Sequence, residues 1–334
     1  MRSGIFIFAL FLALLACDSS TVKIQRFLLI GNQHLENQEF ESAIYYYKEA
    51  IALDSCFSDA LNNLGTAAYK VENWPEAIDW YNRAIDCNPR PEYFINRSNA
   101  AYEIHAYYQA LEDVNRYLEF KPDTLPGLLL QALTLTKLGR YPEALSSINQ
   151  AIKKDSLNPD LLINRATLFY FMRDYAHARP DLDRVLNLDS LSGEAWNALA
   201  MINTEEGNLN MALDLIQRAL NTDPKHPHFL NNRGYIYLLS GEKSKAEQDI
   251  NASMILDPEN PWVYRNRGII YFKAGKWRDA ERLLAQSLSM DSLVDQAAYY
   301  YALTELELGE TTKGCAWLKK ASGGIPAAQK NLCR

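Results

Sequence analysis

The sequence repeats itself with a period of 34 residues along nearly its whole length. Ala43, Ala77, Ala110, Ala144, Ala178, Ala212, Ala246, Ala280 and Gly314 follow one another at intervals of 34, with a single interval of 33. Other positions keep their character in register with these anchors. Twelve residues earlier the side chain is always small: Gly31, Gly65, Ser98, Ala132, Ala166, Ala200, Gly234, Gly268 and Ala302. Four residues later it is always apolar: Tyr47, Tyr81, Val114, Ile148, Leu182, Ile216, Ile250, Leu284 and Leu318. Twelve residues later it is only Ser or Pro, from Ser55 and Pro89 to Ser292 and Pro326. A period of this length marks an array of one supersecondary unit, each copy burying its apolar face against the next. The length of 334 residues would otherwise suit two or three ordinary domains.

The physics of the unit follows from these slots. Small residues in each half let two antiparallel helices approach closely, and the apolar slots fill the seam between them. Gly139, Gly207, Gly241, Gly275 and Gly309 stand five residues before their anchors, where the first helix must end and the chain reverse. The Ser/Pro slot, often preceded by Asp as in Asp189-Ser190 and Asp223-Pro224, stops the second helix. This pattern resembles the tetratricopeptide repeat (TPR). The resemblance implies an all-α fold: a right-handed superhelical solenoid of about nine helix-turn-helix repeats over 24–324. Its concave surface would be lined by the first helices, and a capping helix is expected over 325–334.

Arg2 precedes an apolar run over 5–16, and Cys17 follows at once. Twelve helical residues reach only about 18 Å, short of the ~30 Å hydrocarbon core, so a spanning helix is not expected. The segment has the three parts of an export signal. Leu14-Leu15-Ala16-Cys17 resembles the bacterial lipoprotein signal, against the alternative of an ordinary signal with a coincidental Cys. The resemblance implies removal of 1–16, lipidation of Cys17 and a short tether over 17–23. The protein would then be exported to the bacterial cell envelope, on a periplasmic or outer-membrane face, and held by more than one acyl chain.

Slots that do not define the repeat are where function can be written. Thirteen residues before the anchor the repeat normally carries a leucine-like residue, yet Arg97, Arg165, Arg233 and Arg267 stand there. Asp113, Asp181 and Asp249 occupy the facing slot three residues after the anchor, in units that also carry the Arg. The spacing predicts three partly buried ion pairs, Arg97–Asp113, Arg165–Asp181 and Arg233–Asp249, because a buried guanidinium needs a partner. The alternative is that these arginines take an anionic ligand. One residue earlier stand Asn63, Asn96, Asn164, Asn232 and Asn266, interrupted by Leu130 and Ala198. An amide carries donor and acceptor, so such a row can satisfy an extended peptide. It is similar to the asparagine ladder of long TPR superhelices, against the plainer reading of merely polar groove positions. Tyr69, Tyr102, Tyr170 and Phe272, eight before their anchors, offer apolar groove contacts or helix packing. Fifteen before the anchor Arg265 is the one cation and no lysine occurs, so the carboxylate clamp of TPR chaperone adaptors is not expected.

A formal charge of −7 and pI near 5.4 argue against nucleic acid, whose affinity draws on clustered Lys and Arg. The histidines are scattered, and His226-Pro227-His228 lacks a Cys or carboxylate set, so no metal site or cofactor is expected. No phosphate loop, nucleophile–base set or paired carboxylates stand out, and no enzyme is expected. Cys56, Cys87, Cys315 and Cys333 allow three full pairings, with Cys315–Cys333 and Cys56–Cys87 the ones considered. These features together predict a membrane-anchored scaffold or adaptor that binds segments of other envelope proteins in its groove. A lipoprotein binding envelope glycan or another small ligand is the alternative.

Overall fold

A computed structural model describes residues 20–321 and residue 333. The export signal expected over 1–16, Cys17 and all of the cap expected over 325–334 except Cys333 lie outside the described residues. The described chain is helical throughout and divides into two compact units, Met1–Lys154 and Asp155–Arg334. The first unit holds four helix pairs: α1 (Ser20–Glu36) and α2 (Phe40–Leu53), α3 (Ser58–Lys70) and α4 (Trp74–Cys87), α5 (Pro91–Glu103) and α6 (Tyr107–Phe120), α7 (Leu125–Lys137) and α8 (Tyr141–Lys154). The second holds five: α9 (Pro159–Phe171) and α10 (Tyr175–Leu188), α11 (Gly193–Glu205) and α12 (Leu209–Thr222), α13 (Pro227–Leu239) and α14 (Lys243–Leu256), α15 (Pro261–Lys273) and α16 (Trp277–Met290), α17 (Ala297–Glu307) and α18 (Thr311–Lys320). Within each unit a second helix packs on its own first helix and on the next one, and neighbouring first helices touch. The tether expected over 17–23 is already helical from Ser20, the start of α1.

The anchors sit at the centre of this packing. All eight anchor alanines are fully buried, as is the small slot at Ser98 and Ala200. The +4 residue of each second helix lies on the small residue of its own first helix. A Cβ on Gly65 would lie 2.7 Å from Tyr81 Cε1, and one on Gly31 would lie 2.5 Å from Tyr47 Cε1. Tyr at +4 occurs only over Gly, at Gly31 and Gly65, while Ile or Leu at +4 stands over Ala or Gly, as in Ala132/Ile148 and Gly234/Ile250. Burial raises the Tyr81 phenol to about 12, as expected of a ring sealed in this seam. Gly65→Ala is expected to lose about 1–2 kcal/mol, since overpacking by a methyl outweighs the gain in helix propensity. The urea midpoint reads this loss, and Gly65→Ala with Tyr81→Leu should recover part of it. An unchanged midpoint in Gly65→Ala would sink the packing argument.

The nine reversals share one device. Five residues before each anchor the backbone is left-handed, with φ between 59° and 87°. Glycine serves at five of these positions, but Gln38, Glu72, His105 and Arg173 adopt the same conformation at a steric cost of about 1–2 kcal/mol each. The second helices of the first eight repeats all end two residues before the Ser/Pro slot. Asp54, Asp189, Asp223, Asp257 and Asp291 then each accept a hydrogen bond from the backbone N–H two residues on, at 2.8–3.2 Å. These Asx turns start the next repeat.

Two disulfides complete the fold. Cys56, in the turn after α2, joins Cys87 at the end of α4, with Cα atoms 5.4 Å apart. Cys315 on α18 joins Cys333, 5.5 Å apart, and so ties the C-terminal segment to the last repeat. Among the described residues no helix is long and apolar enough to cross a membrane.

Candidate binding site on the first helices

The arginines thirteen residues before the anchors meet the facing aspartates in three two-pronged contacts. Arg97 donates from Nε to Asp113 Oδ2 at 2.8 Å and from Nη2 to Oδ1 at 2.6 Å. Arg165 reaches Asp181 at 2.7 and 2.6 Å, and Arg233 reaches Asp249 at 2.7 and 2.9 Å. The third prong of Arg97 donates to Asn82 and that of Arg233 to Gln217, each on the second helix of the preceding repeat. Arg97 and Arg233 therefore tie neighbouring repeats as well as their own two helices. The Asp113 hydrogen bonds push the Arg97 guanidinium further up, while burial raises the Asp113 carboxyl against the pull of Arg97. Arg267, which faces Leu283, donates instead to Met254 Sδ at 3.0 Å.

The asparagines of the expected row hydrogen-bond within the solenoid, and two of them, Asn164 and Asn232, also line a cavity of the second unit. Asn96 donates to Asn62 at 2.9 Å, Asn232 to Asn197 at 2.8 Å and Asn266 to Asn231 at 2.8 Å, each acceptor lying on the preceding first helix. Asn63 donates to Asn32 at 2.8 Å, and Asn164 to the Asp160 carbonyl of its own helix. Four of the five amides thus donate between stacked first helices, while Asn266 Oδ1 is buried without a hydrogen-bond partner among the described residues. Asn266 is wholly buried, which corrects its expected place as a peptide contact.

The three tyrosines separate. Tyr69 donates to Glu103 at 3.3 Å, and Tyr102 packs edge-on against Tyr107, both in the first unit. Burial raises the Tyr102 phenol to about 12. Tyr170, in the second unit, is raised well above its ordinary value by burial and lines a cavity of about 600 Å³. Side chains of α9, α11, α13 and α15 and the approach to α17 form its walls, among them Asn197, Glu205, Asn231, Tyr235, Trp262 and Arg265. These positions recur on the inner side of successive first helices, which is why residues some 34 apart converge.

Arg265 is the unusual wall residue. It is 3% exposed, and its guanidinium lies 4.3 Å from the Tyr235 ring centroid and 4.9 Å from that of Trp262. Its Nε is buried without a hydrogen-bond partner among the described residues. Two acids of the cavity wall, Glu205 and Asp295, pair with Arg173, which lies 3.5 Å from Glu205 and 3.6 Å from Asp295. Burial raises the Glu205 carboxyl, Asp295 adds to the rise, and Arg173 and Arg265 oppose it. Gln296 donates to Tyr235 Oη at 3.0 Å and holds that ring in place. In the sequence Arg265 stands out as the lone cation of its slot, with Trp262 three residues earlier. Among the described residues no group of three or more His, Cys, Asp and Glu side chains is placed to hold a metal.

Similarity to known proteins agrees with this architecture. The family model "Tetratricopeptide repeat" matches residues 28–90, 163–227, 205–261 and 265–328, together more than half of the chain. Tetratricopeptide repeat protein 16 of Mus musculus is 22% identical over 233 residues, covering 64% of this chain and 30% of that protein. The TPR repeat-containing protein YpiA of Bacillus subtilis is 22% identical over 206 residues, covering 60% and 49%. The chain thus spans half or less of the length of these curated relatives. A tetratricopeptide repeat protein of known structure from Parabacteroides merdae superposes with a TM-score of 0.50 at 18% identity, over 84% of this chain and 98% of that one. Proteins of this kind serve as protein–protein interaction scaffolds, and the fold is in general not a catalytic one. The chain belongs to the tetratricopeptide-repeat family.

Proposed function

We propose that the protein is a lipid-anchored adaptor of the bacterial cell envelope, which holds a segment of another envelope protein in the cavity of its second unit. The observation that carries the binding part is the cavity itself. It is about 600 Å³ in volume and walled by aromatic rings, among them Tyr170, Tyr235 and Trp262, by amides and by a buried arginine. Aromatic and arginine side chains in a concave, largely preformed site are the groups that dominate recognition energies. The anchored, exported part is supported by Arg2, the apolar run over 5–16 and Cys17, and by two disulfides of a kind that persist in oxidising compartments.

Two measurements test the two parts separately. Cys17→Ser should move the protein from the membrane fraction to the soluble fraction after cell lysis, since Cys17 would carry the acyl chains. Retention of Cys17→Ser in the membrane fraction would rule out the anchor. A photo-crosslinking residue in place of Met201, which lines the cavity, should capture a defined envelope protein in cells, identified by mass spectrometry. The same probe at Lys243, exposed on α14, is the control. Equal captures at the two positions would count against the adaptor reading.

A further inference from the structure

We propose that residues 292–296 are a latch across the cavity of the second unit. It is closed when Asp295 and Gln296 reach Arg173 of repeat five and Tyr235 of repeat seven, and open when both residues wind onto α17. What enters rests on the adaptor reading above; the latch is argued from the chain itself.

The start of α17 departs from the rest of the array. In repeats two to eight the first helix begins nineteen residues before its anchor, from Ser58 in the second to Pro261 in the eighth. In the ninth it begins at Ala297, seventeen before Gly314, so Asp295 and Gln296 stand where the first two helical residues belong. Local chemistry accounts for the loss. Asn158, Ser192 and Asn260 precede their helices, and the side chain of each accepts a hydrogen bond from a backbone N–H of the first turn. Val294 occupies that slot in the ninth repeat, and its side chain has no acceptor. Its burial pins the segment to the core while the first turn stays uncapped.

The two displaced residues span the cavity. Asp295, a wall residue, lies 3.6 Å from Arg173, in the reversal of repeat five. Gln296 donates to Tyr235 Oη at 3.0 Å. Helices α9 and α17 do not pack on each other, so side chains bridge the space between them. The side chains of Arg173 and Asp295 are 53% and 38% exposed, which puts their pair at the solvent edge of the cavity. Glu205 behind them is 12% exposed and pairs with the same Arg173, so the catch stays in place when the latch leaves it.

The two states are closely balanced. Gln296 has a left-handed backbone, with φ of 62°, which disfavours the closed state by about five- to thirtyfold. An exposed ion pair offsets up to about fivefold of this, and a side-chain hydrogen bond about two- to tenfold. In the open state Asp295 exchanges Arg173 for the positive end of the helix dipole. Opposing factors of similar size keep both states populated, and a shift in either direction needs little energy.

The test uses nuclear magnetic resonance of the full-length chain in detergent, with isotope-labelled methionine methyls. A neutral gadolinium chelate in the solvent broadens each methyl according to its access. Met201 lines the cavity, and the exposed Met211 on α12 is the control. Val294→Asn with Asp295→Pro recreates the Asn260-Pro261 start of the eighth repeat and should hold the latch open. Asn260 is itself buried, so an amide suits the slot. The expected result is about threefold or greater broadening of Met201 relative to the native chain, with Met211 unchanged. The melting temperature should hold or rise, because a cap is gained and a strained residue relaxed. Asp295→Asn, which weakens the ion pair and adds no cap, should lie between the two. Raising salt to about 1 M should increase the Met201 broadening in the native chain and leave Asp295→Asn unmoved, since an exposed pair is screened. Equal broadening in all three chains, or the same response to salt with and without Asp295, would overturn the latch. These readings involve no partner. If they hold while the Met201 crosslinking probe captures nothing in cells, the adaptor reading falls and the latch stands; if capture succeeds without them, the reverse is true.

Discussion

Asp113→Ala is expected to lower the stability of the chain by about 3–5 kcal/mol, because it leaves the Arg97 guanidinium half-buried with only the neutral Asn82 amide for a partner. Asp113 is 1% exposed, so water cannot take its place at the site. The effect should be read as a fall in the urea midpoint of α-helical circular dichroism. Asp113→Asn should cost nearly as much, since the loss is of charge rather than of volume. Arg97→Met with Asp113→Leu should recover most of it, because the unpaired charge goes with its partner. The exposed Arg116–Glu119 pair at 3.2 Å is the internal control. Glu119→Ala should change stability by less than about 1 kcal/mol, as solvent-exposed pairs do. If Asp113→Ala unfolds at the same urea concentration as Glu119→Ala, the buried pair is not a structural element. Asp249, with Arg233 held in the same way, offers an independent repetition in the second unit.

The second large effect concerns the cross-links. Cys56→Ser with Cys87→Ser is expected to cost about 3–4 kcal/mol, the loop-closure entropy that a bridge over a 31-residue separation removes from the unfolded chain. The Cys56–Cys87 bridge ties the turn after the first repeat to the end of the second, at the end of the array where fewer neighbours support each repeat. Repeat arrays gain stability mainly from nearest-neighbour contacts, so a terminal repeat frays first. Loss of this bridge should therefore appear as early melting of α1 and α2 in hydrogen exchange, with the second unit little changed. Reductant should lower the melting temperature of the native chain and leave the double serine variant responding only through Cys315–Cys333. The intact mass of purified protein, alkylated with and without prior reduction, must show no free thiols before reduction and four after it at these positions. Free thiols at Cys56 and Cys87 in protein from the native host would refute the bridge.

Much of the fold was legible because a 34-residue period leaves few alternatives. The anchor, the small slot and the apolar slot are each fixed by one short-range contact, a close helix crossing, and that contact is the same in every copy. The Arg–Asp pairs were legible for the same reason. Residues 16 apart across one turn must face each other when the two helices of a repeat are antiparallel, and a lone charge in an otherwise apolar slot advertises its partner. The reversals were half legible. Glycine marked five of them, but Gln38, Glu72, His105 and Arg173 carry the same left-handed backbone without any local signal. There the packing of the two helices overrides a residue's own preference.

The asparagines mark the limit of reading by slot. Their composition suited a peptide-binding row, but their hydrogen bonds go to residues mostly 34 or 35 away, on the neighbouring first helix. Nothing local tells whether an inward amide faces a groove or a neighbouring amide. Arg265 is the converse case. Its position was plain in the sequence, whereas its burial depends on Tyr235 from the previous repeat and Trp262 from its own closing over it. The amino-acid sequence by itself therefore determined the repeat, its number and the pairs within it, since these rest on contacts inside one unit. Only the tertiary structure decided which polar groups are already satisfied and which are left facing the cavity, because that depends on how one repeat is stacked on the next.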